Sequence, residues 1–263
     1  MQAADCDDAS LESPLNLQFM PLLTFQNIEF RYPNRSATFS GVSFQVHPGD
    51  RLGLIGPNGA GKTTLFLLAC GVLSPHQGQV KLGDRLVRPG HFHPEIGLVF
   101  QNSDDQLFCP TVADDIAFGP MEMGLSRPQI HDRVSQALTA AGIPHLADLP
   151  PHQLSGGQKR MVAIAGILAC QPSITLYDEP SANLDAPARQ RLIDFLETST
   201  HPLSPTDPPR GFILSSHDLS FIRDTCNRVM LLDQGRIMAD GPPKEVLGDQ
   251  SLMETYGMAT DLF

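Results

Sequence analysis

The sequence predicts an α/β protein with a mostly parallel sheet, a small antiparallel β subdomain ahead of it and a helical lobe inserted within it. Three observations carry that prediction. Residues 51–71 read as an apolar strand, a glycine-rich turn and an apolar helix. After Gly56 strand-like and helix-like stretches alternate, the pattern of parallel strands joined by crossover helices. From about residue 103 to 165 the strand pattern stops and only helical stretches remain, which marks the lobe.

Taken in order, residues 1–20 are polar and acidic without a clear period, and a mobile extension is expected there. Leu22 to Phe30 mixes apolar and polar residues like a half-buried strand, and Val42 to Val46 pairs with it across the Pro33–Ser40 loop. His47-Pro-Gly-Asp50 turns the chain into the strand before Gly56. Ser74-Pro-His-Gln-Gly78 breaks the chain, and strands follow near Val80–Leu82, Arg85–Val87 and Ile96–Phe100. Thr111 suits a helix N-cap, with Gly119-Pro120 as its stop. Ser126 caps a second helix through Ala141, closed by Gly142, and Pro144–Pro151 links it to a third, from after Ser155 to Cys170. An apolar strand Ile174–Asp178 ends in acids, and Ala186–Thr198 is amphipathic. Beyond a proline-rich loop at 201–209 lie strands Phe212–Ser215 and Arg228–Leu232, then a hairpin through Asp233–Arg236. One or two short helices are expected after Pro242. The expected division is a 1–20 extension, a 21–247 catalytic domain and a 248–263 helical tail.

The 263 residues suffice for one large α/β domain. Eighteen basic against 29 acidic residues give a net charge of −11, which argues against a duplex nucleic-acid binder, since that needs a basic face. No apolar run approaches a membrane span, and the acidic N-terminal residues are unlike a secretory signal. Five cysteines without C-x-x-C spacing read as free thiols of a reducing cytosol, Cys70 and Cys170 in the core.

Gly56-Pro-Asn-Gly59-Ala-Gly61-Lys62-Thr63-Thr64 fits the phosphate-binding pattern G-x-x-x-x-G-K-[ST]. Glycines let backbone N–H groups converge on phosphate oxygens, and the following helix adds its positive end. Lys62 would reach the β- and γ-phosphates and Thr63 would sit on Mg²⁺. An acid pair at the end of a buried strand delivers carboxylates to the same sheet edge: Asp178 to hold Mg²⁺, Glu179 to orient and deprotonate water. Leu154-Ser155-Gly156-Gly157-Gln158 opens a helix with exposed amides and a hydroxyl, an anion site or simply a cap.

With these three motifs in this order, the sequence resembles the nucleotide-binding subunit of ATP-binding cassette (ABC) proteins over about residues 22–247. That resemblance implies a P-loop NTPase fold with a RecA-like sheet. It implies further roles: Tyr32, 24 residues ahead of Gly56, for adenine stacking; Gln101 for Mg²⁺ and the attacking water; His217 for the γ-phosphate; Asp185 for dimer contact. In the family, the Ser155–Gln158 loop of one cassette closes on ATP held by the Gly56–Thr64 loop of another, so a second cassette, identical or not, is an implied partner. Ser181, Asn183 and Tyr177 depart from the usual residues around the acids. The segment Gly97 to Pro120 further resembles the ATPases of energy-coupling factor (ECF) transporters, especially of the cobalt/nickel uptake type. It implies transmembrane and substrate-binding membrane subunits as partners, a place on the cytoplasmic face of the membrane, and Phe108 with Gln106 on the coupling surface. The alternatives are a soluble cassette ATPase in assembly or repair and a regulatory nucleotide-binding module. A missing heptad run, the lone phosphate loop, and intact Glu179 and His217 weigh against them. His91 and His93 read as a solvent loop, and Asp104, Asp105, Asp114 and Asp115 as a partner face or a hydrated loop and helix start.

Overall fold

A computed structural model describes residues 20–33, 38–202 and 209–258. The expected 1–20 extension (all but Met20), most of the 201–209 loop and the last five residues of the tail lie outside them. Two sheets form the frame. β1 (Leu23–Phe30) pairs antiparallel with β2 (Phe39–Val46) and β4 (Gln77–Leu82), and β4 carries the two-residue β5 (Arg85–Leu86). Along β1 the buried positions run Leu23, Phe25, then Ile28, Phe30. Strict alternation would fail there, but the register shifts between Phe25 and Ile28, around Asn27 at φ 51°, so both pairs face the core.

The second sheet has the order β10-β9-β3-β8-β7-β6. β3 (Arg51–Ile55), β6 (Ile96–Val99), β7 (Ile174–Asp178), β8 (Gly211–Ser215) and β9 (Arg228–Asp233) run parallel, and β10 (Arg236–Gly241) returns antiparallel at the edge. Every residue of β6, β7 and β8 is buried, as strands covered on both faces must be. One apolar cluster fills the space between the two sheets around α1 (Lys62–Ala69) and includes Phe25, Leu52 and Phe66. Phe66 has no exposed surface, and truncating it to alanine would cost about 3–5 kcal/mol. The other cluster lies under α4 (Gly156–Ala169), α5 (Ala186–Ser199) and α6 (Leu219–Thr225), with Val162, Leu192 and Phe221 at its centre. Tyr177 is fully buried here, edge-on to Phe212 at 5.8 Å, the packing change expected of it.

Between β6 and β7 the described elements are all helical: α2 (Val112–Glu122), α3 (Arg127–Ala140), α4 and short 3-10 turns. Thr111 caps α2, accepting from Asp114 N, and Ser126 closes a capping box with Gln129. The expected stop at Gly119-Pro120 is wrong: α2 continues to Glu122 with Pro120 inside it. Proline usually expels the preceding residue from helical geometry by clashing with its Cβ, and Gly119 has none. Gly119 is needed small for a second reason, because a Cβ there would lie 2.3 Å from Sγ of Cys170, the C-cap of α4. Cys70 and Cys170, expected in the core, are only partly buried. After β10 come α7 (Pro243–Gly248) and α8 (Gln250–Thr255). No helix among the described residues is long and apolar enough to cross a membrane.

Candidate functional site

The carboxyl ends of β3, β7 and β8 and the N-terminus of α1 meet at one open cleft of about 1000 Å³. Its floor is the glycine turn. Gly56 sits at φ 146°, and any Cβ there would meet the Leu232 carbonyl oxygen at 2.0 Å. Gly61 caps α1 at φ 106° with no side chain closing the helix end. The turn therefore places α1's first-turn donors toward the cleft, where an anion is favoured. Lys62 is buried; its Nζ donates to the Gly56 carbonyl at 2.8 Å and to that of Pro57 at 3.4 Å. Burial pulls the Lys62 ammonium below its ordinary pKa, while Glu179 and Asp178 pull the other way.

The acid pair is held from two strands. Thr63 Oγ1 donates to Asp178 Oδ2 at 2.6 Å, and Ser215 Oγ donates to Asp178 Oδ1 at 2.6 Å. The Glu179 amide donates to Ser215 Oγ at 3.1 Å, so one fully buried hydroxyl sets both acids. Glu179 occupies the left-handed region at φ 47°, which turns its side chain back toward the cleft. Strain of this kind gathers at functional sites. The His217 amide donates to Glu179 Oε2 at 3.2 Å. His217 Nε2 lies 3.3 Å from Glu179 Oε1 without hydrogen-bond alignment, so Oε1 is buried with no hydrogen-bond partner among the described residues. An orphaned buried carboxylate oxygen beside a histidine is what a site for water or a phosphate-bound proton offers. Thr63, Asp178 and the Gln101 amide oxygen form the hard oxygen donor set that Mg²⁺ takes, so the residues fit that ion.

The cleft brings together Tyr32, Asn58–Thr64, Gln101, Asp178, Glu179 and His217. Gly56 and Pro57 touch it through Lys62. Tyr32 Oη sits 3.2 Å from Thr64 Oγ1, its ring edge-on to Phe30. Ser155–Gln158 do not line this cleft, nor does Asp185. Ser155 Oγ instead accepts from Gln158 N while Gln158 Oε1 accepts from Ser155 N, a closed capping box on α4. Asp185 caps α5 by accepting from Ala188 N at 2.8 Å.

Several residues at the site were not anticipated. Thr38, Gln234 and Gly235 complete the cleft rim: the two-residue turn between β9 and β10, at φ 44° and 71°, packs onto Thr38. From the sequence Ser215 is only a strand end, yet it bonds both acids. Asp115, expected in a hydrated helix start or on a partner face, is buried, and its Oδ1 accepts from the amides of Phe108 and Cys109. Gln106, expected on the coupling surface, is half-buried and braces the sheet edge: its Oε1 accepts from Phe100 N and its Nε2 donates to Leu98 O. The edge strand β6 has backbone groups without a neighbouring strand, and a side-chain amide supplies one. Phe108 is exposed and meets Phe118 edge-on at 5.0 Å, whereas Ile116 is fully buried. His91 and His93 stay in an exposed turn, and no metal-holding group of His, Cys, Asp or Glu occurs among the described residues.

Comparison with known proteins agrees with this geometry. A family model described as ABC transporter matches residues 39–182. A Synechocystis chain provisionally named an ABC transporter ATP-binding protein is 48% identical over 90% of this chain and 81% of its own length. The energy-coupling factor transporter ATP-binding protein EcfA of Methanocaldococcus jannaschii is 40% identical over 88% of this chain and 82% of that one. Among solved structures, CbiO1 from Clostridium perfringens, part of the ABC transporter complex CbiONQ, has a TM-score of 0.74 at 31% identity. The match covers 90% of this chain and 94% of that one.

Proposed function

This chain belongs to the ABC transporter family, is an ABC-type ATPase, and from that premise we propose that it energises an ECF-type transporter that takes up Co²⁺, Ni²⁺ or a related micronutrient. It sits on the cytoplasmic face of the membrane and works as one of two cassettes. The observation that carries the reading is the convergence of Lys62, the Thr63–Asp178 pair and the Glu179–His217 pair in one cleft. The EcfA and CbiO1 likenesses support the transporter assignment.

ATP is the substrate. Lys62 exchanges its two carbonyl partners for phosphate oxygens, a gain because a charged donor prefers charged acceptors. Thr63, Asp178 and Gln101 would hold Mg²⁺, which would supply charge neutralisation at the phosphates. Glu179 takes the proton of the attacking water, and His217 beside it holds the γ-phosphate end in place. Catalysis is positioning and charge neutralisation, with little covalent work asked of the protein. Ser155–Gln158 serve the nucleotide of the second cassette, and Asp185 lies at the contact between the two. The exposed Phe108–Phe118 pair beyond Gln101 receives a membrane subunit.

The test is recovery of membrane proteins with the tagged chain, followed by uptake of labelled Co²⁺ and Ni²⁺ into vesicles that hold the recovered complex. ATP-driven uptake lost in Glu179→Gln is the expected result. Failure to recover any membrane protein with the wild type favours a soluble cassette ATPase, and recovery with no metal uptake moves the substrate to another micronutrient.

A further inference from the structure

Arg160 is buried in α4, one turn beyond the Ser155 cap, and no carboxylate meets its guanidinium among the described residues. It spends its fork on two backbone carbonyls: Nη1 donates to Phe100 O at 2.6 Å and Nη2 donates to Gln101 O. Its Nε has no partner among the described residues. Burial pulls its pKa below the ordinary value, with the field of Asp178 opposing. A buried cation paired with no anion is a costly choice where an apolar side chain of similar volume would fill the space. The carbonyls it holds belong to the last residue before Gln101 and to Gln101 itself, whose side chain lines the nucleotide cleft. Phe100 is pinned from the other side too, its amide donating to Gln106 Oε1. The neighbouring Lys159 repeats the tie a little further on, its Nζ donating to Asp104 Oδ1 at 2.6 Å. Along α4 the packing is equally close, since a Cβ on Gly97 of β6 would lie 2.2 Å from Ile167 Cγ2.

We infer that Arg160 is a positioning residue that joins the Gln101 turn to the N-terminus of α4, so that nucleotide arriving at Gln101 moves the Ser155–Gln158 turn with it. The planar fork matters as much as the charge. Two carbonyls at successive residues are bridged by a rigid guanidinium, whereas an ammonium reaches them only as a mobile point charge. The link gives a cassette a way to report its own nucleotide state to the surface that its partner would read. It rests on the ATPase reading for the role of Gln101.

The experiment compares wild type with Arg160→Lys and Arg160→Gln as full-length chains. Hydrogen exchange is followed with and without AMP-PNP and Mg²⁺, alongside nucleotide affinity by calorimetry, steady-state hydrolysis and thermal melting. In the wild type, nucleotide protects 56–64, 101–106 and 155–159. In both variants protection at 56–64 and the affinity persist, while protection at 155–159 is lost. kcat falls on the order of 10-fold with KM for ATP unchanged, the pattern of a misplaced group rather than a lost binding contact. Protection of 155–159 that survives in both variants overturns the inference. So does a parallel loss of melting temperature, affinity and kcat in both, which would mark Arg160 as structural only. Absence of protection at 56–64 in the wild type would overturn the nucleotide site itself, and this inference with it.

Discussion

The two glycine-rich helix starts of this chain are built in opposite ways. α1 begins at Gly61 in the left-handed region, uncapped by any side chain, with Lys62, Asp178 and Glu179 gathered in front of it. α4 begins at Ser155 in extended geometry, with the serine and Gln158 capping each other. The first helix end is left without a side-chain cap and stands open to a ligand; the second satisfies itself within its own chain. Glycine does different work in each. At Gly56 and Gly61 a Cβ would strike Leu232 O or the Phe39 ring, so the loop's shape depends on its absence. At Gly156 a Cβ would meet nothing within 4 Å. A residue that the fold does not require to be small is small for something outside the chain, or for nothing. Mutations can test whether that distinction separates a site used within the chain from one used by a second chain.

The largest expected effect falls on the open end. Glu179→Gln keeps the size of the side chain and removes the base, so hydrolysis should fall by on the order of 10²-fold or more while ATP still binds. Turnover measured beside calorimetric affinity gives the answer, and a variant that hydrolyses like wild type would move the base elsewhere. Lys62→Ala comes next. A buried cation held by two carbonyls and the His217 ring, with no carboxylate bonded to it among the described residues, should be the main attraction for phosphate. Its loss should weaken ATP binding roughly 10- to 100-fold, the value of one hydrogen bond to a charged group. Unchanged affinity would remove α1's N-terminus as the nucleotide site.

How much of this was legible beforehand follows the range of the interactions. The glycine turn, the acids ending β7, and the caps Thr111, Ser126 and Ser155 are local patterns, and each stands where its pattern placed it. Ser215, Asp115, Gln106 and Arg160 act through side chains whose partners are set by the fold. Ser215 bonds Asp178 37 residues away, and Arg160 bonds Phe100 60 residues away. Nothing in a serine that ends a strand, or an arginine in a helix, announces such a partner. The seven-residue α6 escapes sequence reading for a different reason: it is short, and Asp218, its cap, follows directly on His217. Gly119-Pro120 misled because a stop signal for an isolated helix is overruled where the glycine relieves the proline clash and packs against Cys170.

A smaller effect is expected at the closed end. Ser155→Ala removes one half of the capping box, which costs about 1 kcal/mol. For a chain of this size that lowers the melting temperature by about 2–4 °C. ATP affinity of the isolated chain should not change, because Ser155 does not line the cleft. A calorimetric affinity that drops together with the melting temperature would show that the two helix ends are not independent, and the contrast between them would fail.

The smallest effect on the chain itself, and the sharpest test of the contrast, belongs to Gly156→Ala. Gly156 is the first residue of α4, has ordinary backbone geometry, and faces open space. Alanine there restricts the unfolded chain and suits a helix, so the fold should be unchanged or more stable by about 0.4–1 kcal/mol. ATP should bind as in the wild type. If the Ser155–Gln158 turn exists only to cap α4, hydrolysis will be unchanged as well, since nothing in this chain touches the added methyl. If the turn serves the nucleotide of a second cassette, the methyl lies where that surface must approach, and hydrolysis should fall although folding and binding do not. The decisive readout is light scattering with ATP in a Glu179→Gln background, where pairing is trapped before turnover. A stable, ATP-binding Gly156→Ala chain that no longer pairs assigns the glycine to a neighbour. One that pairs and hydrolyses normally leaves Gly156 with no role beyond opening the helix.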